Sequence, residues 1–150
     1  MSLSLGILAP VIVLLLLIEG FFSGSEIALL SSDKLILKAN AKNGSSRARI
    51  ALALVQNPER IFSSILIVTS LCMISISVLI TLYLRSAHQI ESEWIAVLIS
   101  SPLVVIFGEL LPKTIYQKYA TRMAPWVALP VISLYWALFP FTRLLSGYTT

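Results

Sequence analysis

Three long apolar stretches limit what this chain can fold into. They run from about residue 3 to 30, from 61 to 84 and from 94 to 119, and the second contains no charged residue. A helix of roughly 20 apolar residues crosses a bilayer. Only 12% of the residues are charged, against about a quarter in a soluble domain. The sequence therefore predicts an all-α membrane protein with three transmembrane helices.

The basic residues are concentrated between the first two stretches. Six of the eleven lie there: Lys34, Lys38, Lys42, Arg47, Arg49 and Arg60. Short loops rich in lysine and arginine stay in the cytosol. The pattern predicts a multi-pass protein of the cell membrane with its N-terminus outside and its C-terminus in the cytosol. No basic face with interleaved aromatic residues is present, so we expect no nucleic-acid partner.

The basic loop contains the signals of two short helices. Asp33 is suited to cap the first, and Asn43-Gly44 to end it. Ser45 or Ser46 can start the second, and Asn57-Pro58 ends or turns it. Residues 33–60 are therefore predicted to form a cytosolic helical pair between the first two spans.

The last apolar stretch is interrupted by prolines. Pro125, Pro130 and Pro140 fall within about 18 apolar residues, which is short for a span, and Trp126 suits the headgroup region. We expect a proline-kinked juxtamembrane helix in the cytosolic leaflet, and a fourth span is the alternative. The predicted elements are the first span at 1–32, the helical pair at 33–60, the second span at 61–85, the third span at 94–119 and the juxtamembrane helix at 124–147.

The third span contains the most unusual motif, FGELLPK at residues 107–113. Charged side chains at membrane depth are expensive and usually functional. Glu109 and Lys113 are four residues apart and share a helical face, so the two could pair. Pro112 has no N–H to offer the Gly108 carbonyl, which predicts a free carbonyl beside a carboxylate. Oxygen atoms of these two kinds are ligands for Mg²⁺ and Ca²⁺.

The first span also becomes polar in its second half. Glu19, Ser23 and Glu26 form one helical stripe, and Gly20 and Gly24 have the spacing that allows close helix approach. Glu26 is either part of this polar face or an ordinary wetted residue at the interface. Glu19 lies deeper in the span, so a role in the function is more strongly indicated for it.

The second span is rich in hydroxyl groups. Ser63, Ser70, Ser77 and Thr81 are spaced along one stripe, and Thr69 is adjacent to it. The stripe is either a helix–helix packing interface or a source of hydroxyl ligands for an ion. Thr69 and Ser70 lie near mid-span and are the best candidate ligands.

Other classes of site find no support in the residues. There is no cluster of His and Cys, so Zn²⁺ and Cu are not expected, and the single Cys72 cannot form an internal disulfide. No nucleophile–base pair and no glycine-rich phosphate loop are apparent, so the chain is not expected to be an enzyme.

Two motifs together resemble the transmembrane domain of the CorC/CNNM magnesium transporters. They are FFSGSEIAL at residues 21–29 and FGELLPKT at residues 107–114, and the order of spans and loops is similar along almost the whole chain. The resemblance implies a homodimer with three membrane helices and a juxtamembrane helix per subunit. It implies Mg²⁺ export coupled to Na⁺ entry. It also implies a cytosolic pair of CBS domains that binds ATP; this pair is absent from the chain, which would then be a membrane-domain fragment.

The resemblance also implies roles for individual residues. The ion ligands would be the Ser23 and Ser25 hydroxyls, the backbone near Gly24, the Gly108 carbonyl and the Glu109 carboxylate. Pro112 would break the helix and Lys113 would compensate charge. In the second span, Thr69, Ser70 and Met73 lie where family members usually have Asn-Thr and a further Asn, so hydroxyls would take the place of an amide. Glu19 or Glu26 would serve the coupling ion.

The preferred hypothesis is a secondary transporter that binds Mg²⁺ at mid-membrane. The alternative is a membrane anchor, or a sensor of divalent cations, that holds cytosolic CBS domains and moves no ions. In that case the polar stripes would join the subunits, and Glu109 and Lys113 would form a structural pair. A small channel is a weaker third reading, because one charge per span makes a poor conduction pathway.

Overall fold

The chain folds into helices that include three stretches long and apolar enough to cross a membrane. The structure, a computed structural model, describes residues 5–88 and 93–146, and every regular element in these ranges is helical. Three helical stretches are long and apolar enough to span a bilayer: Gly6–Leu30, Phe62–Arg85 and Trp94–Lys118. The predicted all-α membrane architecture with three spans is confirmed.

The elements follow one another with short connections. They are α1 (Leu5–Leu30), α2 (Lys34–Lys42), α3 (Ser46–Gln56), α4 (Pro58–His88), α5 (Glu93–Leu103), a π-helical segment (Val104–Leu110), α6 (Leu111–Lys118) and α7 (Ala120–Ser146). The helix that contains the second span, α4, begins at Pro58, and its apolar stretch begins at Phe62. Proline is favoured in the first turn of a helix because its φ is already set and its missing N–H has no partner there.

The short helices α2 and α3 have the caps that their sequences predict. The Asp33 carboxylate accepts hydrogen bonds from the backbone N–H groups of Leu35 and Ile36 at 2.8 and 3.3 Å. Gly44 then reverses the chain with a φ of 93°, a conformation that glycine adopts without strain. The Ser45 hydroxyl accepts from the Ala48 N–H at 3.3 Å and starts α3.

A hydrophobic core joins the last helix to the end of the first span. The face of α7 that is buried is spaced at helical intervals and consists of Ala120, Ala124, Val127, Ala128 and Val131. It packs against Ala28 and Leu29 of α1 and against Ala51 and Leu54 of α3. The small alanines allow close approach, so α7 is held against α1 and the helical pair.

The opposite face of α7 is exposed and includes Trp126, over whose ring the Arg47 guanidinium lies at 4.2 Å from the centroid. Within the described ranges, α7 is not among the helices that are long and apolar enough to span. The alternative of a fourth span therefore has no support, and a juxtamembrane position for α7 stays a prediction.

The third span changes its helical type midway. The Leu111 N–H donates to the Ile106 carbonyl, five residues back, and residues 110 and 111 keep right-handed helical dihedrals. The expected break at Pro112 is therefore not found. Pro112 lies in the first turn of α6, where its missing N–H is tolerated, and the backbone before it widens into a π-helix instead.

The hydroxyl stripe of the second span is only partly buried within this chain, because Ser77 and Thr81 are half-buried. Ser63 and Ser70 are exposed, and Ser63 and Thr81 donate to backbone carbonyls four residues back in α4. The face that is buried carries Ile65, Cys72, Ile76 and Ile80. Within the chain, α4 is thus attached mainly through apolar side chains.

Candidate functional site

Glycines bring the first span into direct contact with the third span. A Cβ atom at Gly20 would lie 2.8 Å from the Pro112 Cγ, and one at Gly24 would lie 2.8 Å from the Tyr116 ring. Contacts this short leave no room for a side chain. The spacing of Gly20 and Gly24 predicts a close approach between helices. The structure shows that this approach is between α1 and the third span.

The third glycine in this contact, Gly108, faces Glu19. A Cβ atom at Gly108 would lie 2.8 Å from the Glu19 carboxyl carbon and 2.8 Å from its Oε2. The Glu19 side chain is fully buried, with an exposed fraction of 0%. A carboxyl group from one span therefore rests on the bare backbone of another.

The oxygens at this contact have no partners. Both Glu19 oxygens and the Ser23 hydroxyl are buried, and none of the three has a hydrogen-bond partner. Ser23 lies one turn after Glu19 on the same face of α1. Buried polar groups are almost always hydrogen-bonded, and an unpaired buried charge costs several kcal/mol or more. Three such oxygens on one face form a group that has the chemistry to hold a cation.

Further groups extend the site towards the other helices. Glu109, the residue after Gly108, is half-buried, and Cys72 lies on the buried face of α4. Thr69 lies one turn before Cys72 on the same face of α4. The site thus draws on α1, α4 and the π-helical segment.

The remaining candidate residues are placed less centrally. The buried Ser25 hydroxyl donates to the Phe21 carbonyl at 2.6 Å, and Thr69 donates to the Ile65 and Leu66 carbonyls at 3.2 and 3.1 Å. Both hydroxyls keep lone pairs free to bind an ion, because each acts as a donor in these bonds. Ser70 is exposed on a different face of α4 from Thr69.

Two charged candidates lie apart from the Glu19 contact. Lys113 and Glu26 are half-buried, and no ion pair between Glu109 and Lys113 is found in the described part of the chain. The expected Glu109–Lys113 pair is therefore absent. Glu109 lies at the end of the π-helical segment and Lys113 in α6, so the two do not belong to one regular α-helix.

Two neighbours of the site are absent from the sequence-based set of candidates. Cys72 follows Thr69 by three residues, so helical spacing alone places it on the Thr69 face. Tyr116 packs edge-on against Phe21, with ring centroids 6.5 Å apart, and covers Gly24. Its position four residues after Pro112 is the signal that could have placed it on the face towards α1.

The donor set favours hard cations. Within residues 5–88 and 93–146 no group of three or more His, Cys, Asp and Glu side chains is placed to hold a metal. The contact instead brings together the Glu19 carboxyl group, the Ser23 hydroxyl and the backbone at Gly108. Oxygen donors suit Mg²⁺, Ca²⁺ and alkali ions, whereas Zn²⁺ and Cu prefer nitrogen and sulfur.

Comparison with known proteins gives the family. The sequence model of the protein family called the cyclin M (CNNM) transmembrane N-terminal domain matches residues 10–150 of this chain. The chain belongs to the CNNM transmembrane-domain family. The CorC/CNNM resemblance that the two motifs carry is thereby confirmed, and the chain is a multi-pass membrane protein.

Relatives of the CNNM domain occur in bacteria and eukaryotes. A UPF0053 protein of Haemophilus influenzae is 28% identical over 99% of this chain and 35% of its own length. The UPF0053 inner membrane protein YfjD of Escherichia coli is 30% identical over 88% of this chain and 31% of its own length. Protein MAM3 of Saccharomyces cerevisiae is 27% identical over 89% of this chain and 19% of its own length. The chain thus spans about a third or less of these curated relatives.

Proposed function

We propose that this CNNM domain transports Mg²⁺ across the membrane through the site between α1 and the π-helical segment. The observation that carries the proposal is the set of three buried oxygens without partners, two on Glu19 and one on Ser23. Hydrogen-bonding capacity left unused at membrane depth is costly. A cation passing through the site would use it.

The ligand set extends from Glu19 and Ser23 to the backbone of the third span. Gly108 brings its main chain against the Glu19 carboxyl group, and the Glu109 carboxylate adds a second negative charge. Thr69 contributes a hydroxyl from α4. Ser25, Gly24 and Ser70 are further candidates, of which Ser25 is buried one turn from Phe21 and Ser70 is exposed in the single chain.

Mg²⁺ fits this set better than other common cations. It takes oxygen ligands at about 2.1 Å in an octahedron, retains several of its waters and is usually held by one or two carboxylates. Glu19 and Glu109 supply two negative charges when ionised, which match a divalent ion. The few charges leave binding weak enough for release.

The direction and the coupling follow from the family resemblance. We propose export of Mg²⁺ in exchange for Na⁺ entry, with the basic α2–α3 side in the cytosol. Glu26, on the same stripe of α1 as Glu19 and Ser23, would serve Na⁺ at a second position. Lys113 would compensate charge when the ion has left. The chain would act as a homodimer within the lipid bilayer, and ATP would act only through CBS domains.

The helices provide a means of alternating access. A π-helical turn is a strained and adjustable piece of backbone, often found at functional sites. Here it carries Gly108 and Glu109 between two regular helices, α5 and α6. A return of this segment towards α-helical geometry would rotate Glu109 relative to Glu19 and would change the ligand set.

Ion flux into liposomes tests the proposal. The full chain is reconstituted, and Mg²⁺ movement is followed with a trapped fluorescent indicator. We expect flux in the wild type and its loss in Glu109→Gln, while the matched variant Glu59→Gln, at an exposed position of α4, keeps it. Undiminished flux through Glu109→Gln would remove Glu109 from the mechanism.

A second function is favoured by the length of the relatives. Because the matched region is 35% or less of the relatives named above, the domain could serve as an anchor or a divalent-cation sensor for the rest of such a protein. The liposome assay separates the two. An intact protein that moves no Mg²⁺ under any gradient supports the anchor, and flux that depends on Glu109 supports the transporter.

A further inference from the structure

An open groove lies where the first two spans end, away from the candidate ion site. It has a volume of about 100 Å³. Leu29 and Leu30 at the end of α1 form one wall, and Phe62 at the start of the second span forms another. By length and composition the two spans begin and end at these residues. The groove therefore lies at the level of one bilayer surface.

The lining is apolar except for one cation. Leu54 and Val55 of α3 close the groove, and Lys34, the first residue of α2, supplies its charged group. Leu29 and Leu54 also belong to the hydrophobic core that joins α1, α3 and α7, and the partly buried Val55 and Phe62 pack against that core. A slot of this kind matches a ligand with an apolar chain and an anionic head.

The surface beside the groove is also suited to a membrane. Leu35 and Ile36 of α2 follow Lys34 and are 77% and 48% exposed. Large apolar side chains with that exposure beside lysines are typical of a helix that rests on a bilayer. Glu59, exposed at the start of α4, is an acidic group near the rim, and the other charged side chains of α2 are Lys38 and Lys42.

We propose that this groove binds an anionic phospholipid of the surrounding leaflet. A few methylene groups of one acyl chain would lie between α1, α3 and α4 with the rest of the chain in the bilayer, and the phosphate would pair with the Lys34 ammonium group. The positive-inside pattern puts the groove on the cytosolic side, where anionic lipids are concentrated. The bound lipid would tie the helical pair to the end of the first span.

The test measures lipid binding to the full chain in detergent. The melting temperature is followed while dioleoyl phosphatidylglycerol or dioleoyl phosphatidylcholine is titrated in. We expect the anionic lipid to stabilise the protein at lower concentration. Lys34→Gln should weaken phosphatidylglycerol binding about fivefold, the effect of one lysine beside an anionic lipid. Lys42→Gln, at the far end of the same helix, should leave binding unchanged.

Further arms identify the ligand. Leu30→Trp enlarges a half-exposed lining residue, and we expect it to weaken phosphatidylglycerol binding at least as much as Lys34→Gln. Inorganic phosphate should not compete with the lipid. Equal effects of Lys34→Gln and Lys42→Gln would show general attraction to basic residues and overturn the proposal. Competition by inorganic phosphate, or equal binding of phosphatidylcholine, would overturn it too.

Discussion

The carboxyl group of Glu19 rests on the backbone of Gly108, so close that a Cβ atom at position 108 would lie 2.8 Å from the carboxyl carbon. Each residue accounts for the presence of the other at this helix contact. An acidic side chain in the first span needs a place without a side chain opposite it, and a glycine in the third span exposes its main chain to the neighbouring helix. With Ser23 one turn further along α1, they define the proposed Mg²⁺ site of this CNNM domain.

Gly108→Ala is expected to damage the site. Its methyl group would occupy the space of the Glu19 carboxyl group, and overpacking of this kind costs about 1–3 kcal/mol. Thermal unfolding in detergent and Mg²⁺ flux should both decline. Gly6→Ala is the matched control, since nothing lies within 4 Å of a Cβ there and alanine is the better helix former. Equal tolerance of the two changes would contradict the Glu19–Gly108 contact.

Gly24→Ala tests the second glycine contact. The new methyl group would lie 2.8 Å from the Tyr116 ring and should push it away from α1. A smaller residue at position 116 should relieve that clash. We therefore expect Gly24→Ala with Tyr116→Leu to lose less stability than the sum of the single changes, by about 0.5–3 kcal/mol in a double-mutant cycle. Strict additivity would mean that the two positions do not touch.

The native thiol reports on the site. Cys72 is the only cysteine of the chain and is buried near Glu19. Labelling by methyl methanethiosulfonate should therefore be slow, and Mg²⁺ should slow it further by holding α1 and the π-helical segment together. The control is Cys72→Ala with Ser70→Cys, which places the thiol on the exposed face of α4. Labelling of Cys72 that is as fast as at position 70, with or without Mg²⁺, would contradict this arrangement.

Glu19→Gln should remove the response to Mg²⁺. The wild type gains stability when an ion occupies the oxygens of Glu19 and Ser23, because a ligand that binds only the folded state stabilises it. The amide keeps the shape but loses the charge, so the melting temperature of Glu19→Gln should not rise with Mg²⁺. Glu26→Gln, half-buried two turns away, should keep most of the response. A full Mg²⁺ response in Glu19→Gln would exclude Glu19 as a ligand.

The fold was accessible from the sequence because hydropathy and capping determine most of it. The three spans follow from long, predominantly apolar runs, and the ends of α2 and α3 follow from Asp33, Gly44 and Ser45. The π-helical segment was not accessible. Pro112 lacks the N–H that would bond to the carbonyl four residues earlier in an α-helix. Whether the backbone there breaks, kinks or widens depends on how α1 packs beside it.

The sequence predicts which residues belong to the candidate site, but it does not predict how their side chains are arranged in space. Periodicity shows which residues share a face of one helix, and it does not fix the rotation of that helix against its neighbours. The sequence predicts Glu19 or Glu26 as the residue that serves a coupling ion; the structure buries Glu19 against Gly108 and leaves Glu26 half-buried. Ser70 and Thr69 were equal candidates, and only packing distinguishes the exposed residue from the half-buried one.

The most direct test is to locate the ion itself. Crystals of the full chain soaked in Mn²⁺, an oxygen-binding substitute for Mg²⁺ that scatters anomalously, would show where a divalent cation binds. The account predicts an anomalous peak between Glu19, Ser23 and Gly108, within ligand distance of a Glu19 oxygen, and no such peak in Glu19→Gln. A peak elsewhere in the membrane region, or one that persists unchanged in Glu19→Gln, would contradict it.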